Sequence, residues 1–343
     1  MAIVISGTTN NITEIISGTT VANISNDNSE IGADIHEVAN YLWKVISPIL
    51  LVIGVGGNAG IMIILYKMKF WTKMTYVFLF ILAADDSVVL CVGLSRYWIK
   101  AVFDLDIRDI SNFGCVFHLF LIYFSMQLSS WTLVCVTVER YVKTRHPFMY
   151  LSHRFSRVLK PVFVISFIVC LSLNLHFFWT NSLVKTGNVY KCTNPTPEYN
   201  TFEEKYYVFV DLVMLSFLPF IVMFAMNLLI GKSLHESRVF RRCSIPNATS
   251  RRRLIRRSKN LTRMLFFTSI YFLVTTLPVS ILNVADWFVK DPDNNLLTAK
   301  LKLAKAVLYL LQFSNYAVNF YIFIEVNDKF RNHLPSFCNK NKL

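Results

Sequence analysis

Apolar residues are concentrated in seven long segments of the chain, separated by polar and basic linkers. A helix that crosses the hydrocarbon core of a membrane needs roughly 20 mostly apolar residues, and each segment is long enough. The pattern therefore predicts an all-α membrane protein, a bundle of seven transmembrane helices. The predicted helices cover Tyr41–Tyr66, Thr75–Tyr97, Gly114–Tyr141, Lys160–Phe178, Tyr206–Lys232, Lys259–Phe288 and Leu297–Phe323.

The seven segments divide the chain into three predicted regions. Residues 1–40 form a polar, extracellular and glycosylated tail, residues 41–326 hold the transmembrane domain, and residues 327–343 form an amphipathic helix with a short cytoplasmic tail. In the last region Phe330, Leu334 and Phe337 lie on one face of a helix, which suits a helix on the membrane surface. Cys338 follows and is a candidate for S-acylation, with a reduced thiol as the equal alternative.

Composition and charge support a membrane protein. Only 16% of the residues are charged, against about 25% in soluble domains. The formal charge of +14 raises the alternative of a nucleic-acid-binding protein. However, residues 1–40 contain no lysine or arginine, while eight arginines lie between residues 238 and 257. Since cytoplasmic loops collect basic residues, we expect a plasma-membrane protein with an extracellular N-terminus, in contact with the lipid bilayer and not with nucleic acid.

Covalent modifications are predicted on the extracellular side. Asn11 and Asn23 begin Asn-x-Ser/Thr sequons in the polar tail and are candidate glycosylation sites. Of the seven cysteines, only Cys115 and Cys192 are expected outside the bilayer on the oxidising side. Two cysteines in such a compartment usually pair. We therefore expect a disulfide that joins the loop after the fourth helix to the outer end of the third.

The third helix carries the motif on which a family resemblance rests. Glu139-Arg140-Tyr141, followed by Pro147, resembles the Asp/Glu-Arg-Tyr motif of class A (rhodopsin-like) G-protein-coupled receptors. About 25 residues, or roughly 37 Å of helix, separate Arg140 from Cys115, so the two mark opposite membrane faces. The resemblance covers about residues 40–337 in order. Its further motifs are Gly57-Asn58, Leu82-Ala83-Ala84-Asp85-Asp86, Pro219, Phe272, Leu277-Pro278, Asn315, Asn319 and Asn327–Arg331.

The sequence departs from the family pattern in the last three helices. Thr275-Thr276-Leu277-Pro278 stands where the family usually has Cys-Trp-x-Pro. Asn319-Phe320-Tyr321-Ile322-Phe323 replaces Asn-Pro-x-x-Tyr, and Asn227 replaces a common tyrosine. In these places the chain resembles invertebrate neuropeptide receptors of the FMRFamide-like and thyrotropin-releasing-hormone-like kinds.

The resemblance implies a polar core around Asp86. A carboxylate at mid-bilayer costs about 2.5–3.5 kcal/mol, so it needs partners. The family arrangement would bring Asn58, Ser129, Asn315 and Asn319 to it, with a sodium ion as allosteric ligand. The alternative is a hydrated polar cluster that joins the helices without an ion. No other metal and no organic cofactor is expected.

The resemblance also implies an intracellular surface that binds a heterotrimeric G protein, and in addition arrestin and a receptor kinase. Activation would change the packing of the helices so that Arg140 leaves Glu139. The residues implied in activation and coupling are Glu139, Arg140, Tyr141, Pro147, Phe148, Pro219, Asn227, Phe272, Pro278 and Phe323.

The ligand is inferred mainly by exclusion within the family. Ile122 occupies the position where amine receptors carry an aspartate, and Phe313 the position where opsins carry the retinal-binding lysine. What remains suits a peptide, in particular a neuropeptide, whose backbone needs donors and acceptors and whose side chains need apolar pockets. Each polar candidate is equally suited to an interhelical hydrogen bond. The candidates are Arg96, Ile122, Gln127, His176, Asn283, Asp286, Lys305, Tyr309 and Gln312.

The sequence thus favours a receptor that is not an enzyme. A class A receptor for a lipid or small molecule is the main alternative. A transporter would have paired half-bundles and broken helices at related positions, which are not apparent. An intramembrane enzyme would need a metal-ligand pair such as His-Glu-x-x-His, or a second deep aspartate in a catalytic motif, and we find neither.

Overall fold

The computed structural model describes residues 3–146, 154–244, 248–289 and 294–326, with side chains over residues 30–146, 157–233, 266–289 and 294–324. These parts of the chain hold seven helices long and apolar enough to cross a membrane, which confirms the predicted seven-helix architecture. They cover Glu30–Lys67, Met74–Phe103, Asn112–Arg145, Arg157–Thr180, Pro197–Ser233, Phe266–Val289 and Asn295–Ile324.

We label the seven helices α1 to α7 in chain order. Three of them are continuous: α1 spans Ile3–Lys67, α3 spans Asn112–Arg145 and α6 spans Ala248–Val289. The other four contain π-helical turns or short breaks. Helix α2 has a π turn at Val89–Leu94 between the α-helical segments Met74–Val88 and Ser95–Phe103. Helices α4 and α7 are each broken once: α4 comprises Arg154–Asn174 and Phe177–Thr180, and α7 comprises Asn295–Ala317 and Asn319–Val326. Helix α5 has two π turns, at Phe202–Tyr207 and Leu212–Phe217, between the α-helical segments Pro197–Thr201, Val208–Asp211 and Leu218–Ser244.

A β-hairpin connects α4 to α5. Its strands β1 (Ser182–Thr186) and β2 (Val189–Thr193) pair antiparallel, with Leu183 opposite Cys192. Gly187 makes the turn with φ +64°, a left-handed conformation that glycine adopts without strain. Short 3-10 helices at Phe70–Thr72 and Ile107–Asp109 complete the connections in the first half of the chain.

Helix α1 begins earlier than the predicted start at Tyr41. Its segment before Tyr41 packs against α7: a Cβ atom at Gly32 would lie 3.9 Å from Ala299 Cβ, and Ala39 is buried in a cluster that includes Ala306 of α7. Trp43, just inside the predicted helix, belongs to the same cluster. Trp43 also stacks on Tyr97 of α2, with ring centroids 4.3 Å apart. Such tertiary contacts stabilise the helical segment before Tyr41, which hydropathy alone does not predict.

The buried apolar side chains form two clusters, one in each half of the bundle. Along α2, Leu82 and Ala83 belong to one cluster, whereas Val89 and Leu90 belong to the other. Asp86 lies between them on the same helix and is fully buried. The carboxylate therefore sits at mid-bundle, where apolar packing on both sides separates it from the ends.

Helices α1 and α7 approach closely around one aromatic ring. A Cβ atom at Gly57 would lie 2.9 Å from Phe320 Cβ, and one at Gly60 would lie 2.9 Å from Phe320 Cε2. Both distances are shorter than the closest approach of two non-bonded carbon atoms, so the Phe320 ring fits only because these two positions of α1 are glycine. The break in α7 at Val318 occurs here, although no proline follows Asn319.

Candidate functional site

The predicted disulfide between Cys115 and Cys192 is confirmed, with a Cα–Cα distance of 5.5 Å. It ties strand β2 to the start of α3, and we call this end of the bundle the disulfide end. Two hydrogen bonds hold the hairpin in the same place: Cys192 N–H donates to Asp109 Oδ1 at 2.7 Å, and Leu183 N–H donates to Asn112 Oδ1 at 2.9 Å. The hairpin is thereby fixed against the helix ends.

Two adjoining cavities open in the bundle at the disulfide end. The arginine compartment, of about 110 Å³, is lined by Arg96 and Arg108 among others. The acidic compartment, of about 220 Å³, is lined by four carboxylate side chains and one lysine. Residues shared by both compartments come from α3, α5, α6 and α7, so an occupant contacts four helices at once. The shared residues are Tyr123, Asp211, Ser280, Asn283 and Tyr309.

Most of the predicted ligand residues line these cavities. Two candidates do not, because their side chains face neighbouring helices. Gln127 is fully buried and hydrogen-bonds residues of α4 and α5. His176 is buried against the rings of Phe177 and Tyr207, with its Nδ1 2.8 Å from Leu173 O. The candidates that do line the cavities are Arg96, Ile122, Asn283, Asp286, Lys305, Tyr309 and Gln312.

Asp106 organises the positive charges of the arginine compartment. Arg96 donates to both carboxylate oxygens of Asp106, at 2.9 and 2.7 Å, and Arg108 does so at 3.1 and 3.0 Å. Lys100 Nζ lies 3.5 Å from Asp106 Oδ2. Burial alone raises the pKa of Asp106, but the hydrogen bonds and charges of the two arginines outweigh it and hold the pKa well below 3.8.

The acidic compartment holds its carboxylates in different ways. Asp286 forms an ion pair of 2.7 Å with Lys305, and Glu203 accepts hydrogen bonds from Thr180 and Asn181. The compartment is therefore negative overall, since four acids line it and only Lys305 among its lining residues is cationic.

A buried polar network forms behind the shared wall of the two cavities. Gln127 Nε2 donates to Asp211 Oδ1 at 3.0 Å, and Asn174 Nδ2 donates to Gln127 Oε1 at 2.9 Å. Tyr207 O–H donates to Asn174 Oδ1 at 2.5 Å. The network joins α3, α4 and α5 and fixes the position of Asp211.

Asp211 was missed in the sequence analysis, although a usable signal was present. It is a charged residue inside the fifth apolar segment, and intramembrane charges mark functional sites by default. The same argument did single out Asp86. Arg108, by contrast, lies in a linker, and hydropathy gives no indication that it turns into the bundle.

The polar core forms around Asp86 in part as predicted. Ser129 O–H donates to Asp86 Oδ1 at 2.7 Å, and Asn319 Nδ2 donates to Asp86 Oδ2 at 2.6 Å. Asn58 is also buried, but its Nδ2 donates to the backbone oxygen of Tyr316 at 3.0 Å. Asn315 is buried nearby on α7, and no described hydrogen bond joins it or Asn58 to the carboxylate.

At the opposite end, which we call the Arg140 end, the acid of the Glu-Arg-Tyr motif is fully buried. Thr75 O–H of α2 donates to Glu139 Oε1 at 2.5 Å. Arg140 and Tyr141 are half-buried, and the Tyr141 ring meets the His146 ring edge-on. The motif thus connects α3 to α2 at this end.

Several predicted activation residues lie between α5, α6 and α7. Asn227 Nδ2 donates to Ser269 Oγ at 2.7 Å and so links α5 to α6. Phe272 and Phe323 are buried in the same apolar cluster. Pro219 lies two residues after the end of the π turn at Leu212–Phe217, as expected where a residue without an N–H interrupts the hydrogen-bond ladder. Pro278 lies within α6.

Several predictions fall outside the residues whose side chains are described. They are the sequons at Asn11 and Asn23, the coupling residues Pro147 and Phe148, the apolar stripe of Phe330, Leu334 and Phe337, and the thiol of Cys338.

These features together define a seven-helix membrane receptor. They are seven apolar helices, a hairpin tied to α3 by a disulfide, cavities at the disulfide end and a Glu-Arg-Tyr motif with a buried acid at the opposite end. The sequence profile of the 7 transmembrane receptor (rhodopsin family) matches residues 57–322. The chain belongs to this family, which confirms the predicted class. It is a multi-pass plasma-membrane receptor that couples ligand binding to G-protein signalling, and it is not an enzyme.

Two relatives illustrate the range of the similarity. The chain is 27% identical to hydroxycarboxylic acid receptor 2 of Rattus norvegicus over 157 residues, which is 44% of this chain and 42% of the relative. It is 23% identical to the thyrotropin-releasing hormone receptor of Mus musculus over 321 residues, which is 87% of this chain and 80% of the relative. The chain therefore spans less than half of the first relative and most of the second.

Proposed function

We propose that this protein is a receptor for an extracellular peptide, in particular a neuropeptide, and signals through a heterotrimeric G protein. The observation that carries the proposal is the pair of adjoining cavities at the disulfide end. Their walls combine aromatic rings such as Tyr123 and Tyr309 with charged and amide groups such as Arg96 and Asn283. A peptide needs both kinds of surface, because its backbone is polar and its side chains are largely apolar.

The similarity to a receptor for thyrotropin-releasing hormone supports a peptide ligand, since it extends over most of both chains. The similarity to a hydroxycarboxylic acid receptor supports the second candidate, a small acid that would bind near Arg96 and Arg108. The first candidate is preferred because the cavities extend from the arginines to the carboxylates beside α6, a wider range of chemistry than a small acid needs.

The proposed topology places the disulfide end and the N-terminus outside the cell. Basic residues in alternate linkers support this orientation, as does the disulfide, which forms in oxidising compartments. In this orientation Asn11 and Asn23 carry glycans, and Arg140 faces the G protein, arrestin and receptor kinase.

The proposed mechanism begins at Ser280. This residue lines both compartments and exchanges a hydrogen bond of 2.8 Å with Ser216 of α5. An occupant that contacts α5, α6 and α7 together favours one packing of these helices over another, because its affinity differs between the two. The change then reaches the Asn227–Ser269 bond and the Arg140 end, where Arg140 moves away from Glu139.

We further propose that the Asp86 core binds sodium as an allosteric ion. The residue set fits a hard monovalent cation, since the Asp86 carboxylate, the Ser129 hydroxyl that donates to it and the side-chain amides of Asn58, Asn315 and Asn319 are all buried. Asn58 Oδ1 supports the fit, because it is buried and no donor in the described part of the chain reaches it. Bound there, a cation would neutralise the carboxylate that Ser129 and Asn319 now stabilise by hydrogen bonds.

The proposal is tested by exposing cells that express the full chain to pools of synthetic peptides, with calcium and cyclic AMP as readouts. We expect at least one peptide pool to elicit a response that untransfected cells lack. Parallel pools of small carboxylic acids and lipids test the alternatives. A response to those pools and to no peptide would overturn the peptide assignment and leave the receptor assignment intact.

A further inference from the structure

Asp211 is a buried carboxylate without a cationic partner in the described part of the chain. It is 8% exposed and lies in α5. The side-chain amide of Gln127 is its hydrogen-bond donor among the described residues, and that amide is neutral. A charge buried away from water is costly unless another charge pairs with it.

Other acids at the same end of the bundle have the cations that Asp211 lacks. Asp106 is held by Arg96 and Arg108, each through two hydrogen bonds. Asp286 lies 2.7 Å from Lys305. Asp211 lines both compartments, so a molecule in either one reaches it. The missing cation is therefore expected to come from the occupant of the cavities.

The walls around Asp211 fit a cationic group in two further respects. Tyr123 and Tyr309 line both compartments, and aromatic faces attract cations. Gln312, which lines the arginine compartment, is 2% exposed, and no donor in the described part of the chain reaches its Oε1. An ammonium or guanidinium group has several N–H donors and can satisfy more than one such acceptor.

The arginine compartment also holds groups of the opposite charge to Asp211. Arg96 and Arg108 share the single carboxylate of Asp106, so at least one positive charge remains uncompensated within this group. Such a group attracts a carboxylate or a carbonyl oxygen. Asp211 and the two arginines together select a molecule that carries both a positive group and an electron-rich group.

We propose that Asp211 is the counter-ion for a cationic group of the ligand, an arginine or lysine side chain or an N-terminal amine of a peptide. The electron-rich end of the same ligand lies at Arg96 and Arg108. This assignment deepens the proposed function, on which it rests for the peptide nature of the ligand.

The test uses Nα-acetyl-argininamide as probe and Nα-acetyl-citrullinamide as its neutral isostere, in which a urea group replaces the guanidinium. The acetyl group removes the α-ammonium charge from both compounds, which are called argininamide and citrullinamide below. The purified full chain in lipid nanodiscs is melted with and without each compound at 10 mM. We expect argininamide to raise the melting temperature by about 2 °C more than citrullinamide, as selective binding to the folded state requires. Equal shifts would overturn the proposal.

Two variants test whether the preference for argininamide depends on the charge of Asp211. Asp211→Asn keeps an acceptor for Gln127 but removes the charge, so the preference for argininamide should disappear. Asp211→Ser, smaller and also uncharged, should give the same result and serves if the first variant does not fold. The matched control is Asp104→Asn, which removes an exposed carboxylate from the same end and keeps its left-handed backbone, φ +54°, a conformation that asparagine tolerates.

The outcomes separate this proposal from the proposed function. If the preference persists without the charge at position 211, the counter-ion assignment is wrong, whatever the peptide screen shows. If the preference depends on Asp211 while no peptide activates the receptor, the cation site stands and the peptide assignment fails.

Discussion

Thr75 of α2 holds the buried Glu139 of α3 through a hydrogen bond of 2.5 Å. Because Glu139 precedes Arg140, this bond fixes the acid of the Glu-Arg-Tyr motif in the packing seen here. Hydrogen bonds to charged groups contribute about 1.5–3 kcal/mol, enough to bias a two-state equilibrium by tenfold or more.

We expect Thr75→Val to raise basal G-protein signalling by up to about tenfold, since it removes this hydrogen bond and retains the size of the side chain. Thr75→Ser keeps the hydroxyl and should behave as wild type. Nucleotide exchange in membranes without added ligand measures both. Equal basal rates for all three proteins would show that the bond does not favour the resting packing.

Arg140→Ala should retain binding at the disulfide end and lose nucleotide exchange on the G protein. The physical reason is distance, since roughly 37 Å of α3 separates Arg140 from Cys115. Argininamide-dependent melting reports on the cavity, and nucleotide exchange reports on coupling. A variant that exchanges nucleotide like wild type would contradict the role proposed for Arg140.

Sodium should stabilise the receptor through Asp86. In 150 mM sodium chloride we expect a melting temperature a few degrees above that in N-methylglucamine chloride, equivalent to about 1–3 kcal/mol for a millimolar site. Asp86→Asn should abolish the difference. Asp85→Asn is the matched control, because Asp85 is the adjacent buried carboxylate of α2 and both Ser129 and Asn319 donate to Asp86 instead. Identical melting of the wild type in the two salts would argue against an ion.

Loss of the disulfide should destabilise the receptor by about 2–5 kcal/mol. The paired substitution Cys115→Ser and Cys192→Ser releases the hairpin from α3 and should lower the melting temperature and the preference for argininamide. Cys91→Ser alters a free, exposed cysteine and should change neither. Unaltered melting of the double variant would mean that the hydrogen bonds to Asp109 and Asn112 suffice.

The Asp106 group should make stability dependent on pH in a defined direction. Its pKa is depressed below 3.8 in the folded state. The stabilisation is therefore complete at neutral pH and is lost as the pH falls below about 4. Asp106→Asn should lower the melting temperature at pH 7, and its difference from wild type should shrink toward pH 3. A difference that stays constant over this range would contradict the ion-pair explanation.

The sequence was sufficient to predict the seven-helix bundle, because the thickness of the hydrocarbon core sets the number of apolar residues that each transmembrane helix needs. Runs of about 20 apolar residues must be helices, so all seven segments could be located. The early part of α1 could not, because its contacts with α7 depend on how distant helices pack. Ala39 lies outside the predicted helix, and only the fold buries it in a cluster that includes Ala306 of α7.

The site was predictable where a motif or a buried charge marks it. The disulfide between Cys115 and Cys192 was predicted because both cysteines were expected on the oxidising side of the membrane. Asp86 was singled out because a carboxylate is costly to bury at mid-bilayer. The orientation of a polar side chain around its helix was not predictable to the same degree. Gln127 lies on α3 as Ile122 does, yet it faces α4 and α5 and lines neither cavity. Arg108 was missed for a different reason, since it lies in the linker between α2 and α3, where hydropathy gives no indication that a side chain turns into the bundle.

The ring of Phe320 lies where Gly57 and Gly60 leave no side chain on α1. Natural variation at these three positions is therefore expected to be correlated. Homologues with a small residue or proline at position 320 should accept alanine or larger residues at position 60, whereas those that retain phenylalanine should retain glycine. A comparison of homologous sequences would then reveal a pairing between the first and last helices that no single sequence can display.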